Sequence, residues 1–124
     1  MFTITKSFEF CAAHHNPKDD GPCSKNHGHN WEAQFFIQGT TLDHRGWLIS
    51  FDEIRNAIKP TIQSLDHQDL NVVLDFNPSS ELLAQHLWIV ANNLLKLPDG
   101  VVLREVRVTE RAGDWKTYAA YCHA

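Results

Sequence analysis

The stretch that decides the fold is Phe2-Thr-Ile-Thr-Lys-Ser-Phe-Glu-Phe-Cys-Ala-Ala-His14, in which apolar and polar side chains largely alternate. Successive side chains of a β-strand point to opposite faces of the sheet, so residues of one parity share a face. The apolar positions that share the parity of His14 are Phe2, Ile4, Phe8, Phe10 and Ala12. We therefore predict a half-buried strand whose apolar face ends at His14.

The same alternation predicts a second strand from about His27 to Gly39, after a polar loop over residues 16–26. The apolar positions that share the parity of His27 and His29 are Trp31, Ala33, Phe35 and Ile37. In regular strands, His14, His27 and His29 then lie on the inner faces. A buried imidazole ring must find a polar partner, and convergence of the three rings on one cation would provide it.

Two amphipathic helices are predicted in the middle of the chain. Ser50-Phe-Asp-Glu53 has the spacing of a capping box and begins the first helix, which Pro60 is expected to kink or interrupt. The apolar side of this helix is formed by Ile54, Ile58, Ile62 and Leu65. After a loop over residues 66–71 and an extended stretch, a second helix follows the segment 77–81 and ends near residues 98–100. Its apolar positions are Leu83, Leu87, Val90 and Leu94.

Two further strands are predicted at the end of the chain, and the second of them spans Trp115 to Cys122. The residues expected to share one face of the first are Val102, Val106, Val108 and Glu110. The resulting order is ββααββ. Paired strands with both helices between the pairs predict an α+β fold, in which an antiparallel sheet is covered on one face.

The composition is that of one globular domain of 124 residues. With 11 basic and 15 acidic side chains, the net charge of −4 argues against a general nucleic-acid surface. No apolar run approaches the length of a membrane span, and the first residues lack a signal-peptide pattern. The three cysteines lack the spacing of a disulfide framework, so we expect a reducing, cytoplasmic setting.

The three inner-face histidines are the strongest indication of function. A His-Gly-His pair alone is more often a pair of surface or hydrogen-bonded rings than a metal site. His14 is placed independently on an inner face, and as a third histidine it raises the expectation of a metal site considerably. An all-imidazole ligand set suits zinc, although iron, copper and nickel are also compatible with it.

Four other side chains are candidates for chemistry, each with a simpler alternative. Cys23, four residues before His27, is either an inert loop thiol or a thiolate base or nucleophile beside a dication. Asp66 and His67 form either a solvated turn or a proton-relay dyad. Glu110 either marks the point where its strand reaches solvent or, if buried, accepts two adjacent N–H groups of a ligand. The cysteines and histidines that we interpret as structural or surface residues are Cys11, Cys122, His15, His44, His86 and His123.

Five segments together resemble the 6-pyruvoyltetrahydropterin synthase / 6-carboxytetrahydropterin synthase family. They are Phe10-Cys-Ala-Ala-His14, Cys23-x-x-x-His27-Gly-His29, Leu65-Asp-His67-x-x-Leu-Asn71, Pro78-Ser-Ser-Glu81 and Thr109-Glu110. Their order is that of the family, and they extend over nearly the whole chain. The resemblance therefore implies one tetrahydropterin-synthase-like domain over residues 1–124.

The resemblance implies a tunnelling fold (T-fold), a four-stranded antiparallel sheet with two helices on one face, in a closed oligomer that is usually a homohexamer. Its substrate would be the small molecule 7,8-dihydroneopterin triphosphate, with no nucleic-acid or membrane partner. The residues that would bind the catalytic Zn²⁺ are His14, His27 and His29. Cys23 would be the general base, Asp66 and His67 its partner dyad, and Glu110 the anchor of the pterin N–H edge. Active sites between subunits would let one dyad serve the Cys23 of a neighbour.

The interval of three residues between Cys23 and His27 is similar to that of the carboxy-producing branch of this family. This branch forms 6-carboxy-5,6,7,8-tetrahydropterin, acetaldehyde and triphosphate on the route to queuosine and other 7-deazapurines. The alternatives are a 6-pyruvoyltetrahydropterin synthase and a zinc- or pterin-binding module without turnover. In such a module, Cys23 and His67 would be dispensable.

Overall fold

The structure is a computed structural model that describes residues 1–122. His123, which was interpreted as structural or at the surface, lies outside the described residues. The strands are β1 (Phe2–His14), β2 (His27–Gly39), β3 (Gln68–Asp69), β4 (Val101–Thr109) and β5 (Ala119–Cys122). The helices are α1 (Phe51–Leu65), α2 (Leu70–Val73) and α3 (Ser80–Leu94), and a short 3-10 helix spans Pro22–Ser24.

The strands form one sheet in the order β3-β1-β2-β4-β5. The pairs β1–β2, β2–β4 and β4–β5 are antiparallel, whereas β3 runs parallel to β1 beside Ala12 and Ala13. The predicted α+β class is therefore confirmed, but the sheet is mixed and has five strands rather than four antiparallel ones.

The additional strand lies in the segment that was predicted to be a loop. Gln68 and Asp69 pair with the edge of β1, and Asp69 then caps α2 by accepting a hydrogen bond from the Asn71 N–H at 3.1 Å. A free strand edge exposes unpaired N–H and C=O groups, which a passing chain can satisfy. Two residues are too few to show a strand pattern, so the sequence did not reveal β3.

Helix α1 continues through Pro60, so the predicted interruption is wrong, whereas a kink there stays a prediction. Proline removes the hydrogen bond that its N–H would donate to the carbonyl group four residues earlier, here that of Asn56. Asn56 and Pro60 are both exposed, so this carbonyl group lies on the solvent side of the helix. Because water can satisfy a solvent-side carbonyl group, the helix tolerates the proline there.

One apolar core lies between the inner face of the sheet and the buried sides of α1 and α3. In β2, the predicted alternation is confirmed at Trp31, Ala33, Phe35 and Ile37, which are all fully buried. In β4, the expectation for Val102 was wrong, because its side chain is 52% exposed while Val101 and Leu103 are buried. At an irregularity in the β2–β4 register, Arg104 has no residue opposite it in β2. This one extra residue in β4 reverses the parity of the inward-facing side chains before Val106.

The end of the chain is less regular than predicted. Strand β5 begins at Ala119 rather than at Trp115, and residues 110–118 form a loop that connects β4 to β5. Within residues 1–122, no helix is both long enough and apolar enough to cross a bilayer.

Candidate metal centre

His14, His27 and His29 lie together where β1 ends and β2 begins. The antiparallel register places His14 directly opposite His27, and His29 opposite Ala12. The ring centroids are 4.7 Å apart for His14 and His27, 5.1 Å for His14 and His29, and 4.7 Å for His27 and His29. The predicted convergence of the three rings is therefore confirmed, since pairing of the two strands brings all three inner-face rings to one place.

A carboxylate completes this cluster. One potential ligand atom from each of His14, His27, His29 and Glu110 lies within 4.8 Å of the other three. Ligand atoms at the usual distance of about 2.0–2.1 Å from a tetrahedral zinc ion lie about 3.3 Å from one another. A small inward movement of the side chains would therefore give a four-coordinate site, so the spacing fits a metal ion.

Hydrogen bonds to backbone carbonyl groups fix the tautomers of two of the rings. The Nδ1–H of His14 donates to the Pro78 carbonyl group at 2.8 Å, and that of His27 donates to the Lys25 carbonyl group at 2.8 Å. In a neutral ring this leaves the Nε2 lone pair free as a metal ligand. The contacts thus orient both rings as in known metal sites.

The contacts of Glu110 bring electron-rich atoms together in a way that could hold a cation. Its Oε2 atom lies 3.1 Å from Nε2 of His14 and 2.7 Å from Nε2 of His29. With Nδ1 of His14 already protonated, a neutral ring presents a lone pair to this carboxylate oxygen. Nε2 of His29 is buried and has no partner in hydrogen-bonding geometry. Either a proton or a metal ion would relieve these contacts between electron-rich atoms.

The electrostatics of His29 favour the neutral form of its ring. Burial lowers the pKa of the His29 ring below its ordinary value, and the Glu110 carboxylate opposes this shift only in part. The neighbouring His14, His27 and Arg111 lower the pKa further. A neutral imidazole is the form that binds metal ions, so the surroundings of His29 hold it ready as a ligand.

Trp31 forms the floor of the cluster and was not recognised as a site residue from the sequence. Its ring centroid lies 4.7 Å from that of His14 and 5.3 Å from that of His29, both edge-to-face. Its Nε1–H donates to the Ala12 carbonyl group at 3.1 Å. Parity had placed Trp31 on the inner face, but nothing in the pattern distinguished it from the other core residues.

The loop 110–118 and the start of α3 form a cavity of about 690 Å³ beside the cluster. Glu110 and His29 are among the residues that line it, and the side chain of Glu110 is 45% exposed. The carboxylate reaches the histidines while it also faces the open cavity, as expected where a strand reaches solvent. Its binding of ligand N–H groups stays a prediction. The remaining polar residues that line the cavity are Ser80, Glu81, Thr109, Arg111, Asp114, Thr117 and Tyr118.

Asp66 and His67 form a dyad, with Asp66 Oδ2 2.9 Å from His67 Nδ1. Two backbone contacts with β1 hold the dyad in place. The Cys11 N–H donates to Asp66 Oδ1 at 2.8 Å, and the His67 N–H donates to the Cys11 carbonyl group at 2.6 Å. The Cys11 N–H, and to a lesser extent His67, lower the pKa of the Asp66 carboxyl. His67 has a φ of +60°, a strained backbone conformation of the kind that is concentrated at functional sites.

The dyad and the histidine cluster both border a second cavity, of about 570 Å³. His29 and His67 both line it, together with Cys11, whose thiol donates to Asn30 Oδ1 at 2.9 Å. The structure therefore brings the dyad close to one edge of the cluster.

Cys23 is not brought together with the histidines. It is the middle residue of the 3-10 helix Pro22–Ser24, and its thiol is exposed. Among the residues that the structure describes, it belongs neither to the potential metal-binding group nor to the lining of the two cavities. Its backbone carbonyl group accepts the Asn16 N–H at 2.7 Å, which closes the loop before it.

Asn71 is a further residue whose task the sequence did not reveal. Its Oδ1 accepts the His15 N–H at 2.9 Å, and its Nδ2–H donates to the His15 carbonyl group at 3.0 Å. The side chain thus continues the backbone pairing of β1 by one residue beyond His14. The one clue in the sequence was the position of Asn71 at the end of the motif 65–71. Without that motif, an Asn at this position looks like an ordinary turn residue.

Comparison with known proteins gives consistent results over most of the chain. A family model described as 6-pyruvoyl tetrahydropterin synthase matches residues 3–120. A 6-carboxy-5,6,7,8-tetrahydropterin synthase from a Synechocystis species is 33% identical over 97 residues, which cover 73% of this chain and 74% of that protein. An enzyme of the same name from Bacillus subtilis is 28% identical over 95 residues, which cover 70% of this chain and 63% of that protein.

Two other comparisons broaden the range of activities. A dihydroneopterin monophosphate aldolase from Pyrococcus furiosus is 29% identical over 84 residues, which cover 68% of this chain and 69% of that protein. Among solved structures, the 6-pyruvoyl tetrahydropterin synthase of Caenorhabditis elegans superposes with a TM-score of 0.84 at 19% identity, over 99% of this chain and 96% of that one. At this identity the structural likeness demonstrates a shared fold alone.

Proposed function

The chain belongs to the 6-pyruvoyl tetrahydropterin synthase family, and we propose that it is a zinc-dependent lyase acting on 7,8-dihydroneopterin triphosphate. The products are 6-carboxy-5,6,7,8-tetrahydropterin, acetaldehyde and triphosphate, with a water consumed, as a step toward queuosine or another 7-deazapurine. The observation that carries the proposal is the three-histidine cluster beside the cavity that Glu110 lines. The names of the Synechocystis and Bacillus relatives support this choice of product.

The metal is proposed to be zinc, held by His14, His27 and His29. Three neutral imidazoles with a fourth position left for water or substrate are the usual ligand set of a catalytic zinc site. When bound there, zinc supplies a Lewis acid that stabilises negative charge on the side-chain oxygens of the substrate. The Pro78 and Lys25 carbonyl groups keep the rings of His14 and His27 turned for this task.

Glu110 is proposed to bind the pterin ring. A carboxylate accepts two adjacent N–H groups well, and the 2-amino-4-oxo edge of a pterin presents such a pair. The side chain of Glu110 is partly exposed toward the cavity. It can therefore hold the pterin while the substrate side chain extends toward the histidines.

Proton transfer is proposed for Cys23, Asp66 and His67. Cys23, as thiolate, takes the proton from a carbon of the substrate side chain. Asp66 holds Nδ1 of His67 at 2.9 Å, which leaves Nε2 of that ring to exchange protons with a substrate oxygen. The lowered pKa of Asp66 supports this role, since an ionised carboxylate keeps the ring in the required tautomer.

Assembly into a homohexamer with active sites between subunits is part of the proposal. Within one chain, Cys23 lies outside the histidine cluster and both adjoining cavities, while the Asp66–His67 dyad opens on one of them. A neighbouring subunit that supplies the dyad to Cys23 would complete the catalytic set. We also propose that residues 1–124 form a single domain and act in the cytoplasm, where the three free cysteines would stay reduced.

A second candidate activity has support of its own, namely aldol cleavage of 7,8-dihydroneopterin monophosphate. The Pyrococcus relative carries that name. Among the described residues that line the larger cavity, Arg111 is the one permanently charged cation, against the carboxylates of Glu81, Glu110 and Asp114. Such a cavity suits one phosphate better than three, unless a neighbouring subunit supplies further cations. Formation of a pyruvoyl pterin and binding of a pterin or zinc without turnover are two further candidate functions.

Product analysis tests these proposals directly. The zinc-loaded protein is incubated with 7,8-dihydroneopterin triphosphate and, separately, with the monophosphate, and the products are identified by mass spectrometry. A carboxylated pterin with acetaldehyde, from the triphosphate alone, is the expected result. A pyruvoyl pterin would instead identify a pyruvoyl-forming synthase. Glycolaldehyde phosphate with a 6-hydroxymethyl pterin, from the monophosphate, would identify an aldolase, and no product from either substrate would identify a binding module.

A further inference from the structure

Thr109 is a buried polar residue at the end of β4, with 2% of its surface exposed. Its Oγ1 atom lies 2.7 Å from the Asp114 carbonyl oxygen, 3.1 Å from that of Thr117 and 3.4 Å from that of Arg111. One hydroxyl group therefore stands at the centre of three backbone carbonyl groups, and its single proton is shared among them. All three carbonyl groups belong to the loop 110–118.

This loop forms one wall of the larger cavity. It begins with Glu110 and also contributes Arg111, Asp114 and Thr117 to the lining. Two further contacts fasten the loop to β2. The Ala112 N–H donates to the Asn30 carbonyl group at 2.6 Å, and the Gly113 N–H donates to Glu32 Oε1 at 2.7 Å. The loop is thus anchored from the outside by β2 and from the inside by Thr109.

We propose that Thr109 is a positioning residue for ligand binding, whose hydroxyl group holds the loop 110–118 in the conformation that keeps Glu110 directed into the cavity. This inference rests on the proposed function for the identity of the ligand, a pterin. Removal of the hydroxyl group leaves three carbonyl groups around a methyl group, and buried carbonyl groups without a donor are costly. The loop would turn them toward water, which moves Glu110 away from the pterin.

The three histidines proposed as zinc ligands do not depend on this loop. His14, His27 and His29 are carried by β1 and β2, and their orienting contacts come from Pro78 and Lys25. Disturbance of Thr109 should therefore weaken ligand binding while metal binding persists. A residue that only contributed to packing would lower the stability without separating these two affinities.

Thr109→Val and Thr109→Ser test the hydroxyl group, because valine keeps the shape of threonine and serine keeps its oxygen. The probe is neopterin, a stable fluorescent pterin, titrated into the zinc-loaded protein. We expect Thr109→Val to weaken neopterin binding by about tenfold or more, with one zinc ion per chain retained. Thr109→Ser should restore most of the affinity, and Thr5→Val, which removes an exposed hydroxyl group from β1, should change neither.

Two results of this titration would overturn the inference. They are wild-type neopterin affinity in Thr109→Val, and equal losses in Thr109→Val and Thr109→Ser, which would assign the effect to packing.

If Thr109→Val does not fold, Glu32→Ala replaces it, because this change removes the acceptor of the Gly113 N–H from the outer side of the same loop. Glu32→Ala should then weaken neopterin binding while Glu32→Gln, which keeps an acceptor oxygen, does not. Unchanged affinity in Glu32→Ala would contradict the inference.

Hydrogen exchange, measured by mass spectrometry on peptides that cover residues 110–118, separates this inference from the proposed function. Thr109→Val should exchange faster than the wild type in this loop without any ligand present, and Thr109→Ser should not. If the wild-type protein binds no pterin, the proposed function has failed. The exchange data still decide whether Thr109 holds the loop. An unchanged exchange rate in Thr109→Val would overturn the inference that it does.

Discussion

Oε2 of Glu110 lies 2.7 Å from Nε2 of His29, so the proposed pterin anchor touches a proposed metal ligand. His29 belongs to β2 and Glu110 to the loop after β4, far apart in sequence, and each has a second neighbour in His14. The carboxylate is thus within reach of both a metal ion and a pterin ring. Variants of Glu110 can distinguish metal binding from pterin binding.

Replacement of Glu110 by Ala should weaken pterin binding far more than zinc binding. Loss of two charge-assisted hydrogen bonds predicts a decrease in neopterin affinity of about 10- to 100-fold. Isothermal titration with neopterin and with Zn²⁺ measures the two affinities separately. Glu110→Gln is the matched control, since it keeps the volume but replaces one acceptor oxygen by a donor, and it should lose nearly as much pterin affinity. A comparable loss of zinc affinity in both variants would make Glu110 a metal ligand instead.

Replacement of Cys23 by Ala should abolish product formation and leave one zinc ion per chain. The thiol stands outside the histidine cluster, so its removal takes away the proposed base without taking away a proposed ligand. A decrease in kcat of about 10²-fold or more is expected. Mass spectrometry of products and metal analysis measure the two effects. Cys122→Ala, which removes another exposed thiol, should behave as the wild type. Full activity of Cys23→Ala would exclude this base, and loss of zinc would make Cys23 a ligand.

Replacement of Asp66 by Asn should preserve the fold and reduce turnover. The amide oxygen can still accept the Cys11 N–H, but the amide nitrogen cannot accept the proton of His67 Nδ1. His67 would lose its tautomer and orientation, which predicts a decrease in kcat of about 10²-fold with a smaller change in KM. Steady-state kinetics measure the decrease in kcat, and thermal unfolding serves as the control for stability. Wild-type turnover in Asp66→Asn would leave the dyad without a catalytic role.

The stability of the protein should fall as the pH decreases below about 6.5, in part because of His86. Burial lowers the pKa of its ring in the folded protein, although Asp75 opposes the shift. The unfolded chain then binds more protons than the folded one between the two pKa values, so the stabilisation is complete above the unfolded pKa and decreases as the pH falls toward the folded pKa. Urea unfolding at pH 7.5 and 5.5 should show a smaller loss for His86→Gln than for the wild type. An equal loss in both proteins would mean that His86 does not contribute to the pH dependence.

The alternation of side chains was sufficient to predict the parts of the fold on which the site depends. It assigned β1 and β2 and placed His14, His27 and His29 on their inner faces, because side chains of equal parity in a regular strand share a face. It was wrong at Val102, because one unpaired residue in β4 reverses the parity and leaves no trace in the sequence.

The sequence by itself determined the α+β class, the family and the three histidines that the fold brings together, since these follow from local periodicity and from short motifs. Only the tertiary structure decided that β3 covers the end of β1, that Pro60 is tolerated in α1 and that Glu110 reaches two of the histidines. It also separated Cys23 from the cluster within one chain. These features depend on which distant backbone groups need hydrogen-bond partners and on which side of an element faces water. No local pattern contains that information, because the partners lie elsewhere in the chain.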